Sequence, residues 1–293
     1  MELVIRNLKK DYGQRAALDS ISLDVGNGMF GLLGRNGAGK TTLMEIMSTL
    51  KKPTSGTLML GKIPLQNTRQ VRPLIGYLPQ EFSLYPDMSV LEIMSYLAAL
   101  SNLPLRIQRQ RIPDLLRRVN LWEDRRKRVR KLSGGMKRRL GIAGALIHDP
   151  QLLIADEPTA GLDPQERLRF YSLLNEFSGN RIVIVSSHIV SDIESVCERV
   201  AVLDAGKLLF HGRIEDLAQT AAGKVYELTV PQSVQASVQN NYCVLSEQGH
   251  LGDVKIRVLH DSVPTAGNPA ACTATVEDGY MELLRQLDRE VKR

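Results

Sequence analysis

Cysteine is scarce in this chain. Three residues in 293, Cys197, Cys243 and Cys272, lie far apart. Their spacing matches no metal or redox motif, so a disulfide framework is excluded and they read as ordinary thiols. Aromatic residues are also few, 5% of the chain with a single tryptophan, Trp122. No apolar run approaches the roughly 18 residues that a membrane-spanning helix needs. The longest candidate, near Ile93 to Leu100, is short and is broken by Ser95. No secretory signal stands at the start, where Glu2-Leu3-Val4-Ile5-Arg6 reads directly as a strand. Internal repeats and low-complexity segments are absent as well. Against these absences stand 43% apolar residues, enough for a core, and a length that suits one large or two modest domains.

The segment Gly34-Arg35-Asn36-Gly37-Ala38-Gly39-Lys40-Thr41-Thr42 fits G-x-x-x-x-G-K-[ST] without departure. Gly37 and Gly39 let backbone N–H groups turn toward phosphates with no side chain in the way. Lys40 supplies a point charge for the β- and γ-phosphates, and the Thr41 hydroxyl is placed to ligate Mg²⁺. The context is right. Met29-Phe30-Gly31-Leu32-Leu33 reads as a buried strand, and Leu43, Met44, Ile46, Met47 and Leu50 recur at helical spacing up to Pro53. A helix that begins at such a loop adds its own field for an anion.

Gln151 to Ala155 reads as a second buried strand. Asp156 at its end can hold Mg²⁺ through a water, and Glu157, one residue on, can orient or deprotonate an attacking water. Between these two regions lies Leu132-Ser133-Gly134-Gly135-Met136.

In this order the elements resemble the ATP-binding cassette (ABC) family, over roughly residues 1–215. The resemblance implies an α/β fold, a P-loop NTPase cassette with a mixed sheet, flanking helices and an α-helical subdomain at about 81–131. It also implies that ATP is held between two cassettes, identical or different. Tyr12 resembles the aromatic that stacks on adenine. Asn36, Gly37, Ala38, Gly39, Lys40, Thr41 and Thr42 would cradle the phosphates. Gln80 is similar to the glutamine that senses Mg²⁺, so Thr41, Gln80 and Asp156 form the expected metal set. Ser133, Gly134 and Gly135 resemble the signature that reaches the γ-phosphate of the other subunit. Ala160-Gly161-Leu162-Asp163 resembles the loop joining the two sites. Glu157, His188 and Gln80 are the expected catalytic residues, His188 resembling the switch histidine on the γ-phosphate. Met136 departs from the glutamine of many members and would lose a polar contact to the nucleotide.

Charge is uneven. From Arg106 to Arg139 there are 14 Lys and Arg against three acidic residues, a net +11 in a chain of net +6, which leaves −5 elsewhere. Ile112, Leu115, Leu116 and Val119 give this stretch an amphipathic face. Its charge reads as a solvated basic face, as attraction to anionic lipid, or as nucleic-acid binding. Against the last stands the lone Trp122, which offers no stacking series, and no nucleic-acid partner is expected. Phe82, Leu84, Tyr85 and Val90 read as an apolar face for a membrane partner, with Leu84 and Val90 also fitting a core.

Past the cassette, Val200 to Leu203 and Lys207 to Phe210 read as a hairpin around Ala205-Gly206, and Glu215-Asp216-Leu217 as the start of a helix. Ala221-Ala222-Gly223 reads as a linker. Tyr226 to Val230 and Val254 to Val258 alternate like strands. A helix follows from Val276, with Tyr280, Leu283, Leu284 and Leu287 on one side. Residues 216–293 are thus expected to form a small α+β domain without a catalytic constellation. Such an extension resembles cassettes of drug, antibiotic and polymer exporters. The expected protein is a Mg²⁺-dependent ATPase subunit of an exporter, peripheral at the cytoplasmic face of the membrane, with a separately encoded permease. The alternative is an ABC ATPase acting on ribosomes or DNA; Gln80 and Ser133 lie too close in sequence for the coiled coil usual there.

Overall fold

Alternating burial begins at once. Leu3, Ile5 and Leu8 are buried on β1 (Leu3–Tyr12), and Leu18, Ile21, Leu23 and Val25 on β2 (Arg15–Val25). Gly13, at φ 61°, supplies the left-handed residue between them. The strand expected at the start is therefore the first arm of a long hairpin. These observations come from a computed structural model, which describes residues 1–250 and 252–291.

The chain continues through β3 (Gly28–Leu33), α1 (Lys40–Met47), β4 (Ser55–Leu60), β5 (Ile63–Pro64), α2 (Thr68–Val71) and β6 (Ile75–Leu78). It then runs through α3 (Val90–Leu100), α4 (Leu105–Arg118), α5 (Gly134–Ala145), β7 (Leu152–Ala155), α6 (Pro164–Ser178), β8 (Ile182–Ser187) and α7 (Val190–Glu194). After these come β9 (Arg199–Asp204), β10 (Lys207–Arg213), α8 (Ile214–Gln219), β11 (Val225–Pro231) and α9 (Gln235–Asn241). The last elements are β12 (Cys243–His250), β13 (Asp253–Leu259), β14 (Asn268–Ala271) and α10 (Val276–Val291). Two compact units result. One holds Met1–Cys197 and Leu203–Leu208, the other Glu198–Val202 and the described residues from Leu209 on.

In the first unit the strands are mixed. β2-β1-β4-β5 form an antiparallel sheet. β3, β8, β7 and β6 lie side by side and all parallel. Every residue of β7 and β8 is buried, as expected for strands covered on both faces. Parallel pairing fixes where the loops emerge. Leu33 pairs with Ser187, Ala155 with Val185, and Leu78 with Ala155. The residues that follow, Gly34, His188, Asp156 and Gln80, therefore leave from one edge.

The expected helical subdomain contains α3 and α4. Ser89 and Glu92 cap α3 reciprocally, with Ser89 N donating to Glu92 Oε2 at 2.7 Å and Glu92 N donating to Ser89 Oγ at 3.2 Å. Ile112, Leu115, Leu116 and Val119 are all buried, so the amphipathic reading holds. Val90 is fully buried and belongs to the core. Tyr85 is 57% exposed, with its ring edge-on to Tyr96 at 5.5 Å. Much of the basic stretch is solvated and paired locally, as in Lys127–Asp124 and Arg130–Asp87. Arg138 is the exception, being buried.

The second unit has an antiparallel sheet in the order β12-β13-β11-β14. Residues 251, 292 and 293 of the expected domain lie outside the described residues. Ala221-Ala222-Gly223 is not a free linker: it forms a hydrogen-bonded turn, and Ala221 packs in a core cluster with Val225 and Leu259. On α10, Tyr280, Leu284 and Leu287 are buried as expected. The alternation did not reveal Glu282, also fully buried, which accepts from Lys224 Nζ at 2.7 Å and Arg285 Nε at 2.6 Å. Those donors hold its carboxyl pKa below the ordinary value against the opposing effect of burial.

Gly279 lets α10 approach α8. A Cβ there would run into the Leu217 carbonyl, while Thr220 Oγ1 donates to Gly279 O at 3.0 Å. Gly279→Ala should destabilise the second unit by roughly 1–3 kcal/mol, read as a lower urea midpoint. An unchanged midpoint would show that the two helices separate at no cost.

Candidate active site

The phosphate loop joins β3 to α1. Gly37 and Gly39 sit at φ 81° and φ 106°, where a side chain is strained. Gly39 is the N-cap of α1 and offers no side-chain cap, and the first turn holds no acidic residue. The leading N–H groups of α1 are thus not satisfied by a cap, which is the arrangement an anion fits. The loop is held from behind. Gly206 N donates to Ala38 O at 3.0 Å and Asp19 N to Gly206 O at 2.8 Å. Arg35 pairs in fork fashion with Asp204, Nε to Oδ1 at 3.0 Å and Nη2 to Oδ2 at 2.5 Å. A methyl on Gly39 would lie 2.7 Å from the Ala17 carbonyl.

Lys40 is 5% exposed. Its ammonium donates to Gly34 O at 2.7 Å and Arg35 O at 3.2 Å, and Glu157 Oε1 lies 3.6 Å away. Burial pushes its pKa down, and the charges of Glu157 and Asp156 oppose that. The cation is thus held by weak acceptors that a phosphate oxygen can replace.

Glu157 follows β7 through a left-handed backbone, φ 43°. Its N–H donates to Ser186 Oγ at 2.8 Å. Its second carboxylate oxygen stands 3.1 Å from His188 Nδ1. Asp156 is fully buried, and its Oδ1 accepts from Ser186 Oγ at 2.5 Å. Its Oδ2 is buried and has no hydrogen-bond partner. An orphaned carboxylate oxygen next to a phosphate loop is what a hydrated divalent cation would satisfy, so the donor set fits Mg²⁺.

An open groove of about 800 Å³ gathers Tyr12, Lys40, Thr41, Gln80, Glu157 and His188, together with Asn36 through Thr42. Tyr12 is 45% exposed, with Lys10 and Lys51 ammonium groups 5.1 and 5.3 Å from its ring centre. Ser133, Gly134 and Gly135 do not line this groove. Ser133 instead caps α5, accepting from Met136 N at 3.2 Å. Gly134 lines a second opening of about 940 Å³ with Gly161 and Arg138, and Gln80 lines both. Asp163, in the expected joining loop, caps α6 by accepting from Glu166 N at 2.8 Å. One chain therefore assembles the phosphate loop, the two carboxylates, Gln80 and His188, and leaves the Ser-Gly-Gly element apart.

Two residues escaped the sequence reading. Ser186 directly follows the apolar run Ile182 to Val185, and its one hydroxyl serves both Asp156 and Glu157. Arg138 was counted among the basic residues. Its guanidinium donates to the carbonyls of Pro158 (2.8 Å), Gln80 (2.6 Å), Asp156 (3.1 Å) and Glu157. An apolar strand ending in Ser-Ser, and three cations in a row after a helix cap, were the available signals.

The family model described as ABC transporter matches residues 18–160. The ABC transporter ATP-binding protein YxlF of Bacillus subtilis, itself uncharacterized, is 37% identical over 80% of this chain and 78% of its own length. The Nod factor export ATP-binding protein I of Cupriavidus metallidurans is 40% identical over 75% and 74%. The dimeric structure of MJ0796, a bacterial ABC transporter cassette, superposes with a TM-score of 0.65 at 26% identity over 72% of this chain and 98% of that one. On these grounds the chain belongs to the ATP-binding proteins of ABC transporters.

Proposed function

We propose that the chain hydrolyses ATP with Mg²⁺ to drive export through a separate membrane-spanning permease, two cassettes closing face to face around the nucleotide. The observation that carries the reading is the convergence of Lys40, Glu157 and His188 on one groove beside the phosphate loop. Lys40 would exchange the Gly34 and Arg35 carbonyls for phosphate oxygens, and the amides of residues 37–42 would take the rest. Thr41, Asp156 and Gln80 would hold Mg²⁺, which when bound offsets phosphate charge. Glu157 would orient the attacking water and accept its proton as the oxygen bonds to the γ-phosphorus, while the bond from that phosphorus to the β–γ bridging oxygen breaks and ADP leaves with the electron pair. His188 would bind the γ-phosphate, and Tyr12 would stack on the base.

The distance of Ser133, Gly134 and Gly135 from their own groove supports a site completed by a second cassette, identical or not, and the related MJ0796 cassette is a dimer. Residues 1–215 would be the cassette, with its helical subdomain at about 81–131, and 216–293 an accessory domain. The name of the Nod factor export relative supports export. In this reading the permease is on another chain and the cassette is peripheral at the cytoplasmic face; among the described residues no helix is long and apolar enough to cross a membrane. Exposed Tyr85, on the segment after Gln80, is the candidate contact to that permease. The relatives reported above bear transporter names, and none is named for ribosomes or DNA.

Glu157→Gln should keep ATP binding and lower hydrolysis by about two orders of magnitude or more, with an ATP-bound dimer accumulating. Turnover near wild type in the purified variant would refute the role. In that background, Ser133→Arg should abolish the ATP-dependent dimer on gel filtration while the monomer still binds ATP. An undiminished dimer would sink the shared site.

A further inference from the structure

We infer that Arg138 is a positioning residue, setting the aim of Glu157 and tying it to the segment that begins at Gln80. The inference rests on the role proposed for Glu157. A guanidinium that is 8% exposed must find acceptors for its donors. Arg138 finds them on main-chain carbonyls rather than in a direct ion pair. Three of those carbonyls belong to consecutive residues, Asp156, Glu157 and Pro158. They form the turn in which Glu157 adopts φ 43°.

A left-handed glutamate persists only where its surroundings over-determine it. Here Arg138 gathers the carbonyls, and Ser186 Oγ accepts the Glu157 N–H. With both sides of the Asp156–Glu157 peptide taken, the backbone that carries the carboxylate is held, and the carboxylate lies between Lys40 and His188. The fourth carbonyl, that of Gln80, opens a different segment, and Arg138 also lies 5.8 Å from the centre of the Phe82 ring. Arg138 itself stands on α5, the helix that Ser133 caps. One side chain thus joins the helix of the Ser-Gly-Gly element, the Gln80 segment and the Glu157 turn. Displacement of either of the first two moves the third, and a misplacement near 1 Å can cost about 10²-fold in rate.

The test uses the full-length chain with Arg138→Met and Arg138→Lys, ATP turnover, and the affinity of a fluorescent ATP analogue. Arg138→Met should lose about 10- to 100-fold in kcat. Analogue affinity should change less than about threefold, because the Lys40 loop is untouched. Arg138→Lys should recover little, since one ammonium cannot span four carbonyls. The decisive arm is the double variant with Glu157→Gln. It should be no slower than Glu157→Gln alone, because aiming no longer matters once the base is gone. Multiplying losses, a parallel fall of affinity and kcat, or full turnover in Arg138→Lys would each overturn the inference. Should Arg138→Met fail to fold by circular dichroism, Arg138→Lys carries the same comparisons. Normal hydrolysis in Glu157→Gln alone would instead remove the role on which the inference rests.

Discussion

Parallel pairing of β3, β8, β7 and β6 brings four carboxyl ends to one edge, and everything at the site depends on that registration. Each strand then contributes a different chemical part. β3 hands over the phosphate loop, β7 the two carboxylates, β8 His188, and β6 the Gln80 segment. No single loop could carry all four, and slippage of one strand would scatter them. β7 and β8 are buried along their whole length, so slippage would draw the polar and charged residues at their ends into the apolar interior without partners.

On that edge the electrostatics are balanced rather than relaxed. Lys40 is a buried cation whose nearest partners are two carbonyls and a carboxylate 3.6 Å away. Asp156 keeps a buried oxygen without a partner. Such groups raise the free energy of the empty site, and a triphosphate with its metal supplies what each lacks. The Arg35–Asp204 fork and the backbone bonds to Gly206 keep the loop open meanwhile, so that binding need not first build it.

The parts legible in the sequence were those where backbone geometry or charge demands a particular residue. Gly37 and Gly39 must turn left-handed, Lys40 must carry charge, and buried β7 must be apolar before it ends in two acids. The parts that were not legible act through the main chain. Arg138 recognises carbonyls, which every residue possesses, so nothing in the surrounding sequence marks its partners. Ser186 follows the apolar part of β8, and its partners, the Asp156 carboxylate and the Glu157 amide, lie far away in sequence, so no local pattern marks them. Glu282 broke the polarity pattern of α10 because Lys224 and Arg285, distant and near in sequence, meet it inside. Val90 was ambiguous between core and surface until the capping box at Ser89 fixed the start of α3.

The central claim is that the triphosphate sits on the loop at the end of β3 and that the Ser-Gly-Gly element of a second cassette closes over it. Amide hydrogen exchange on the Glu157→Gln protein with ATP and Mg²⁺ addresses this directly. The account predicts slowed exchange at residues 37–42 at any protein concentration. It predicts slowed exchange at residues 133–136 only where the protein is dimeric. Protection at residues 133–136 in the monomer, or none at residues 37–42, would contradict it.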